Sequence, residues 1–414
     1  MSRFRRWIAR WIAVNVLLAC ALPVAAHAAP PKDYWMYVGS FTSNGGEGIY
    51  LFKFHTATGR VEPAGLAAGR LWRSNTDTFA GSLQRIMAQI RAEWPNVMRI
   101  ALGVENPTFL AIHPNGVYLY SADTNEAGTI SAFQIDPATG KLTMLNKKRS
   151  GGGRPSFVTV DQTGKNVLVA NYDDSVAVLP IDATGRLQDA SCVIRPKGSG
   201  ADRERQSHPH SINVAPDNRF VIVADWGLDE LLVYKFNPDK GTLEPNDPPF
   251  VKTPRGSGAR HLSFHPNGKF AYVNEEVNSS VTAMKWEGGR GVFTPIETVR
   301  TVPKDFHGKS APAEVLVHPS GRFLCVSNRG PDSIAVFTID PETGSLTPVE
   351  YVSAQGKRPR GIRIDPSGKY LFAANVSSGN VVQFRIDGQT GRLIPTGIKL
   401  QVGSPACIKF APAD

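Results

Sequence analysis

Five residues of the 414-residue chain stand out by type and position: His210, Arg260, Glu276, Arg329 and Arg360. An imidazole and a carboxylate are the usual carriers of a proton at neutral pH. Guanidinium groups hold carboxylates, phosphates and developing oxyanions. Together they suit the opening of an ester bond in an anionic molecule. Their sequence separations, 50, 16, 53 and 31 residues, match no compact linear motif. They make sense only through the elements that carry them.

Those elements repeat. A strand–turn–strand pattern is clearest in Ala259–Trp286, where Arg260–Phe264 runs into a His-Pro-Asn-Gly turn and Lys269–Asn274 runs back. Alternating side chains between Gly, Pro and Asn punctuation predict half-buried antiparallel strands. The turn glycine, or its stand-in, recurs at Gly116, Gly164, Asn218, Gly268, Gly321 and Gly368. A second turn of the form D-x-x-T-G-x-L follows each unit, as in DPATGKL (136–142) and DPETGSL (340–346). A period near 50 with four strands per unit predicts an all-β fold, the β-propeller. Seven closing turns against six complete units predict seven blades. The seventh takes one strand from Ser404–Phe410 and the rest from the N-terminal side, a velcro closure that protects the sheet edges.

In such a ring the start of the first strand and the end of the second share one face. Eight residues before the repeat glycine stand Thr108, Ser156, His210, Arg260, Ala313 and Arg360. Eight after it stand Thr124, Tyr172, Trp226, Glu276, Arg329 and Val376. The five reactive residues are therefore charged or basic exceptions converging on one mouth. Seven after the glycine come Asp123, Asn171, Asp225, Glu275, Asn328 and Asn375. This ring resembles an oxygen cage for Ca²⁺. The plainer reading is that each side chain fastens its own corner. No metal site and no cofactor are expected. His113, His265 and His318, each before Pro, fall on the opposite face and belong to the repeat.

The repeat is interrupted once, within Leu66–Val104, and apolar spacing over Phe79–Trp94 predicts an amphipathic helical insertion. Residues 1–28 differ from the rest: Arg3, Arg5, Arg6 and Arg10 precede an apolar run that ends in Ala26-His27-Ala28. That is the pattern of a cleaved secretory signal. It predicts a periplasmic or secreted product with no stable membrane span, and one propeller domain over 29–414. A lipoprotein anchored at Cys20 is the less favoured alternative. The signal holds four arginines and no acid, so much of the +10 formal charge is targeting sequence. The rest shows no basic run with interleaved aromatics, so nucleic acid is not an expected partner. Cys192, Cys325 and Cys407 have neither metal-ligand nor redox spacing and are read as structural.

Five segments carry a resemblance: YVGSFTSNGGEGIYLFKF (37–54), HPHSINVAPDNRFVIVADWGLDELLVY (208–234), GSGARHLSFHPNGKFAYVNEEVNSSV (256–281), PAEVLVHPSGRFLCVSNRGPDSIAVF (312–337) and GSPACIKF (403–410). The chain resembles the seven-bladed propeller lactonase family. That family includes the bacterial propeller-type 6-phosphogluconolactonases and the fungal carboxy-muconate lactonizing enzymes. The resemblance implies that His210, Arg260, Glu276 and Arg329 form the catalytic set. Many members read P-H-x-H where this chain has His210-Ser211-Ile212, closer to an H-S-x-N form ending in Asn213. Arg360, Asn213, Asn328 and Asn171 are read as substrate-binding.

The expected activity is metal-independent hydrolysis of an anionic sugar-acid lactone, with 6-phosphogluconolactonase as the nearest type. The alternatives are a muconate-type cycloisomerase, a Ca²⁺-dependent lactonase, and a non-catalytic periplasmic scaffold. Oligomeric state is not fixed by the sequence.

Overall fold

A computed structural model describes residues 33–69, 103–198 and 205–413. The signal segment and the Phe79–Trp94 helix expected from the sequence lie outside the described residues. The described chain forms seven four-stranded antiparallel sheets, the blades of an all-β propeller. Blades 1 to 6 start at inner strands Pro107–Ile112, Pro155–Val160, Pro209–Val214, Ala259–Phe264, Ala311–Val317 and Pro359–Ile364. In blade 7 the C-terminal strand Pro405–Ala413 pairs antiparallel with Asp33–Ser40, then come Gly48–His55 and Val61–Gly69. Leu66–Gly69, placed by the sequence at the start of the insertion, is therefore still outer strand.

The two repeat markers have physical causes. The seven glycines of the closing turns take positive φ, and all but Gly241, which meets Ser191 and Asn166, lie against an aromatic ring of an adjacent blade. At Gly140 (φ 69°) a Cβ would stand 2.5 Å from Trp35 Cδ2. No side chain fits there. The histidines of the opposite-face turns bolt neighbouring blades: Nε2 of His113, His265 and His318 bonds the carbonyls of Gly164, Gly321 and Gly368 at 2.9, 2.8 and 2.7 Å. Asn218 replaces the turn glycine at φ 60°, which Asn tolerates. Between the blades the core is aliphatic and aromatic, with Tyr37, Tyr120 and Tyr272 fully buried and their hydroxyls bonded to the carbonyls of Gly140, Gly185 and Gly344.

The inner strands share one irregularity that positions the site. In blades 1, 2, 3, 4 and 6, register with the second strand slips by one residue between Pro107 and Phe109, Pro155 and Phe157, Pro209 and Ser211, Ala259 and His261, and Pro359 and Gly361. Blade 5 slips between Pro312 and Val315. Blade 7 slips opposite Ala406. Each is a β-bulge, which kinks the strand and re-aims a side chain. The extra residue is the eight-before position: Thr108, Ser156, His210, Arg260 and Arg360. The fold thus turns these side chains out of the sheet pleat at the end of the channel.

Among the described residues no helix is long and apolar enough to cross a membrane.

Candidate active site

The bulges and the ends of the second strands enclose one mouth cavity of about 240 Å³, lined by Ser156, His210, Arg360, Tyr172, Trp226, Glu276 and Arg329, among others. Immediately below, Arg260 lines a narrow recess with Ser156 and Arg360. All five reactive residues therefore meet at one end of the ring.

Glu276 is the hub. Its Oε2 lies 2.9 Å from Arg260 Nε and 2.8 Å from Arg329 Nη2. Burial alone would raise its pKa, but Arg260 and Arg329 overcome this and hold the carboxyl below its usual range. It is ionised at neutral pH. Arg329 also donates from Nε to the Ala311 carbonyl at 3.0 Å, which fixes its plane against blade 5. Arg260 is 1% exposed and donates from Nη1 to the Ala313 carbonyl. Burial, then the neighbouring Arg360 and Arg329, push its pKa well down. Arg360 lies over the Phe41 ring at 5.2 Å, and burial with Arg329 nearby pushes it down to about 10. Three guanidinium groups thus face one carboxylate at the mouth, and an anion there would relieve their mutual repulsion.

His210 is 6% exposed, and its Nδ1 is buried without a hydrogen-bond partner among the described residues. Burial, reinforced by the cationic Arg260, Arg360 and Arg329, holds its pKa well below the ordinary imidazole value. It is neutral at pH 7. Tyr172 meets it edge-on, 5.7 Å between ring centres, and stacks on His208 at 4.8 Å. Arg154 lies 5.2 Å above the Tyr172 ring and pairs with Asp173.

Three of the residues read as substrate-binding are placed elsewhere. Asn171 and Asn328 are fully buried and do not line the mouth. Their amides donate to the carbonyls of Ser150 and Thr301, at 2.9 and 2.7 Å. The whole seven-after ring behaves this way. Asp225 accepts from the backbone N–H groups of His208, Gly227 and Leu228, and Glu275 accepts from Ser280 and Thr282. These residues lie one position before the mouth and face their own corner. Asn213 sits three residues beyond the bulge, so the strand carries it down the channel. It lines a separate cavity of about 400 Å³ with Glu314, Arg363 and Lys409.

Sequence reasoning missed His261 and Glu314. Seven before the glycine the blades carry Phe109, Phe157, Ser211, His261, Glu314 and Gly361. The same exception test at that register would have found them. It also passed over Arg154 and the Tyr172–His208 stack, whose residue types are ordinary for loops.

Inner-strand bulges and second-strand ends that gather basic groups and one carboxylate at a single mouth define a propeller with a basic cavity at one end of its ring. Residues 92–410 match the family described as Lactonase, 7-bladed beta-propeller. The chain is 34% identical over 330 residues to a 6-phosphogluconolactonase of Bacillus subtilis, covering 79% of this chain and 84% of the relative. A 6-phosphogluconolactonase of Formosa agariphila is 33% identical over 337 residues, 78% of this chain and 84% of the relative. Among solved structures, the periplasmic gluconolactonase PpgL of Pseudomonas aeruginosa aligns with a TM-score of 0.78 at 29% identity, covering 92% of this chain and all of that one. The chain belongs to the seven-bladed β-propeller lactonase family, and its enzyme class is lactone hydrolase.

Proposed function

We propose that the protein hydrolyses an anionic sugar-acid lactone at this mouth without a metal, and that it works in the periplasm. The observation that carries the reading is the Arg260–Glu276–Arg329 cluster beside a neutral, buried His210. Among sources of support, the relatives named 6-phosphogluconolactonase suggest a sugar-lactone substrate, and the exported-type N-terminus agrees with a periplasmic relative.

Glu276 is engaged by two arginines, which makes it a poor proton acceptor, so the base is assigned to His210. Water attacks the lactone carbonyl and gives its proton to the imidazole. The carbonyl oxygen becomes an oxyanion facing Arg260 and Arg329, which are already aimed and need little reorganisation. Collapse breaks the ring C–O bond, and the imidazolium returns the proton to the leaving alkoxide. The product is the open hydroxy acid, with His210 neutral again. Cations around His210 depress its basicity in the free enzyme. A substrate carboxylate or phosphate on Arg360 would offset that field as it binds, bringing the base toward its working pKa. Tyr172 and Trp226, which both line the mouth, supply an aromatic wall beside the substrate.

The test is a panel of sugar-acid and aromatic lactones, each assayed with and without chelator. Turnover of an anionic sugar lactone that survives EDTA and is abolished in His210→Ala is expected. Turnover by His210→Ala at the wild-type rate would overturn the assignment of the base. Loss of activity with EDTA would overturn the metal-free mechanism.

A further inference from the structure

Arg260 is held from below as well as from the mouth. Its Nη1 is 3.2 Å from His261 Nε2, and His261 Nδ1 is 2.7 Å from Glu314 Oε1. A guanidinium nitrogen carries only protons to donate, and an ionised carboxylate only accepts. Both contacts are satisfied by one protonation state alone: the proton on Nδ1, donated to Glu314, and the lone pair on Nε2, accepting from Arg260. The alternative tautomer would aim N–H at N–H, and the imidazolium would do the same.

The surroundings favour that state. His261 is 3% exposed and packs edge-on to Phe109 and Phe157, at 5.7 and 5.1 Å. Its titratable and charged neighbours are Arg260 on its own strand, His210 from blade 3, Glu314 from blade 5 and Arg360 from blade 6. Lys409 of the C-terminal strand faces Glu314. Burial brings the His261 pKa down to about 4, against the opposing pull of Glu314. Burial would raise Glu314, but His261, followed by Lys409 and Arg260, keeps it below its usual range.

Resting on the lactonase reading above, we propose that His261 and Glu314 are a positioning dyad: Glu314 fixes the Nδ1–H tautomer of His261, whose Nε2 orients Arg260 toward the reacting oxygen. Neither touches substrate. The dyad spans two blades, because Arg260 and His261 come from blade 4 while Glu314 and the Ala313 carbonyl come from blade 5. The bulge makes it possible, since it lets consecutive residues Arg260 and His261 approach the same axis rather than opposite sheet faces.

Two readouts test this. In ¹⁵N-histidine NMR of the intact protein, His261 should be neutral and Nδ1-protonated at pH 7, with Glu314→Leu abolishing the preference. An Nε2–H tautomer or an imidazolium at pH 7 overturns the proposal whether or not any lactone is turned over. In kinetics, His261→Phe/Glu314→Leu removes both members of the dyad together and keeps an aromatic ring against Phe109 and Phe157, while Arg260 keeps its bond to the Ala313 carbonyl. Its kcat should fall about tenfold with little change in KM, the value of one lost orienting hydrogen bond. Glu314→Gln, which keeps an acceptor, should recover part of that loss. A folded double variant with wild-type kcat overturns the dyad. A wild-type enzyme with the expected tautomer but no lactone turnover would sink the functional reading and leave the geometry standing.

Discussion

The sharpest test of the mouth is Glu276→Gln, which keeps shape and removes charge. In the native site one carboxylate oxygen serves Arg260 Nε at 2.9 Å and Arg329 Nη2 at 2.8 Å. Breaking a buried ion pair by deleting one partner costs roughly 3–5 kcal/mol. The Glu276 side chain is 24% exposed, so water screens part of that, and the low end, roughly 3 kcal/mol, is expected. For a domain this long that corresponds to a fall in Tm of about 4 °C. The effect on rate should be larger, because two oxyanion donors lose their shared anchor. Losing one such donor costs roughly 10²–10³-fold. Thermal melts alongside kcat/KM on the best lactone of a panel separate the two contributions. A lowered Tm with unchanged kcat/KM would make the cluster an architectural ion pair and remove the mechanism. No change in either would mean that the cluster does not exist in solution.

Acid should destabilise the fold in a defined window. His261 has a folded pKa of about 4 against an ordinary 6.5, so its contribution is complete above pH 6.5 and is lost as pH falls toward 4. Glu276 and Glu314, both depressed, add a loss that begins near their ordinary 4.5 and continues below it. Tm measured from pH 8 to pH 4 should therefore decline below 6.5, and a flat profile would contradict the burial of these groups. Because His210 is also held well below 6.5, kcat/KM should stay level as pH drops through 6.5; an inflection at that value would place the base elsewhere. Tyr172→Leu should raise KM several-fold with kcat little changed, as expected for the loss of an aromatic side chain that lines the mouth; a pure kcat effect would exclude a binding wall. His265→Ala should cost about 1–2 kcal/mol of stability through the lost Gly321 bond and leave kcat untouched.

The blades were readable because each repeats the same mechanical problem. A closing turn pressed on an aromatic ring demands glycine, as Gly140 shows against Trp35, and that demand recurs with the period. Position within the repeat then located the mouth, since residues at equal offsets take equal places around a ring. Offsets alone could not reveal the bulge, because an extra residue in one strand leaves the spacing between glycines unchanged. Its consequence is that Asn171 and Asn328, one residue before the mouth position, belong to their corners, while His261, one residue past Arg260, still reaches the axis. Residue type was equally mute about Asn213, which a regular strand carries down to the far cavity.

The same geometry explains why His210, Arg260 and Arg360 sit on the inner-strand bulges. A side chain in regular pleat is committed either to the interface between blades or to its neighbour's face, and both are filled by close-packed aliphatic and aromatic groups. A bulge releases one residue per blade from that commitment. The fold can then place His210, Arg260 or Arg360 there in one copy and Thr108, Ser156 or Ala406 in another without repacking any sheet. Exchanging Thr108 for Ser, which keeps the hydroxyl that bonds Thr124, should on this argument change the stability by no more than about 0.5 kcal/mol. A loss of several kcal/mol there would show that the bulged positions are part of the packing and that the freedom assigned to them is absent.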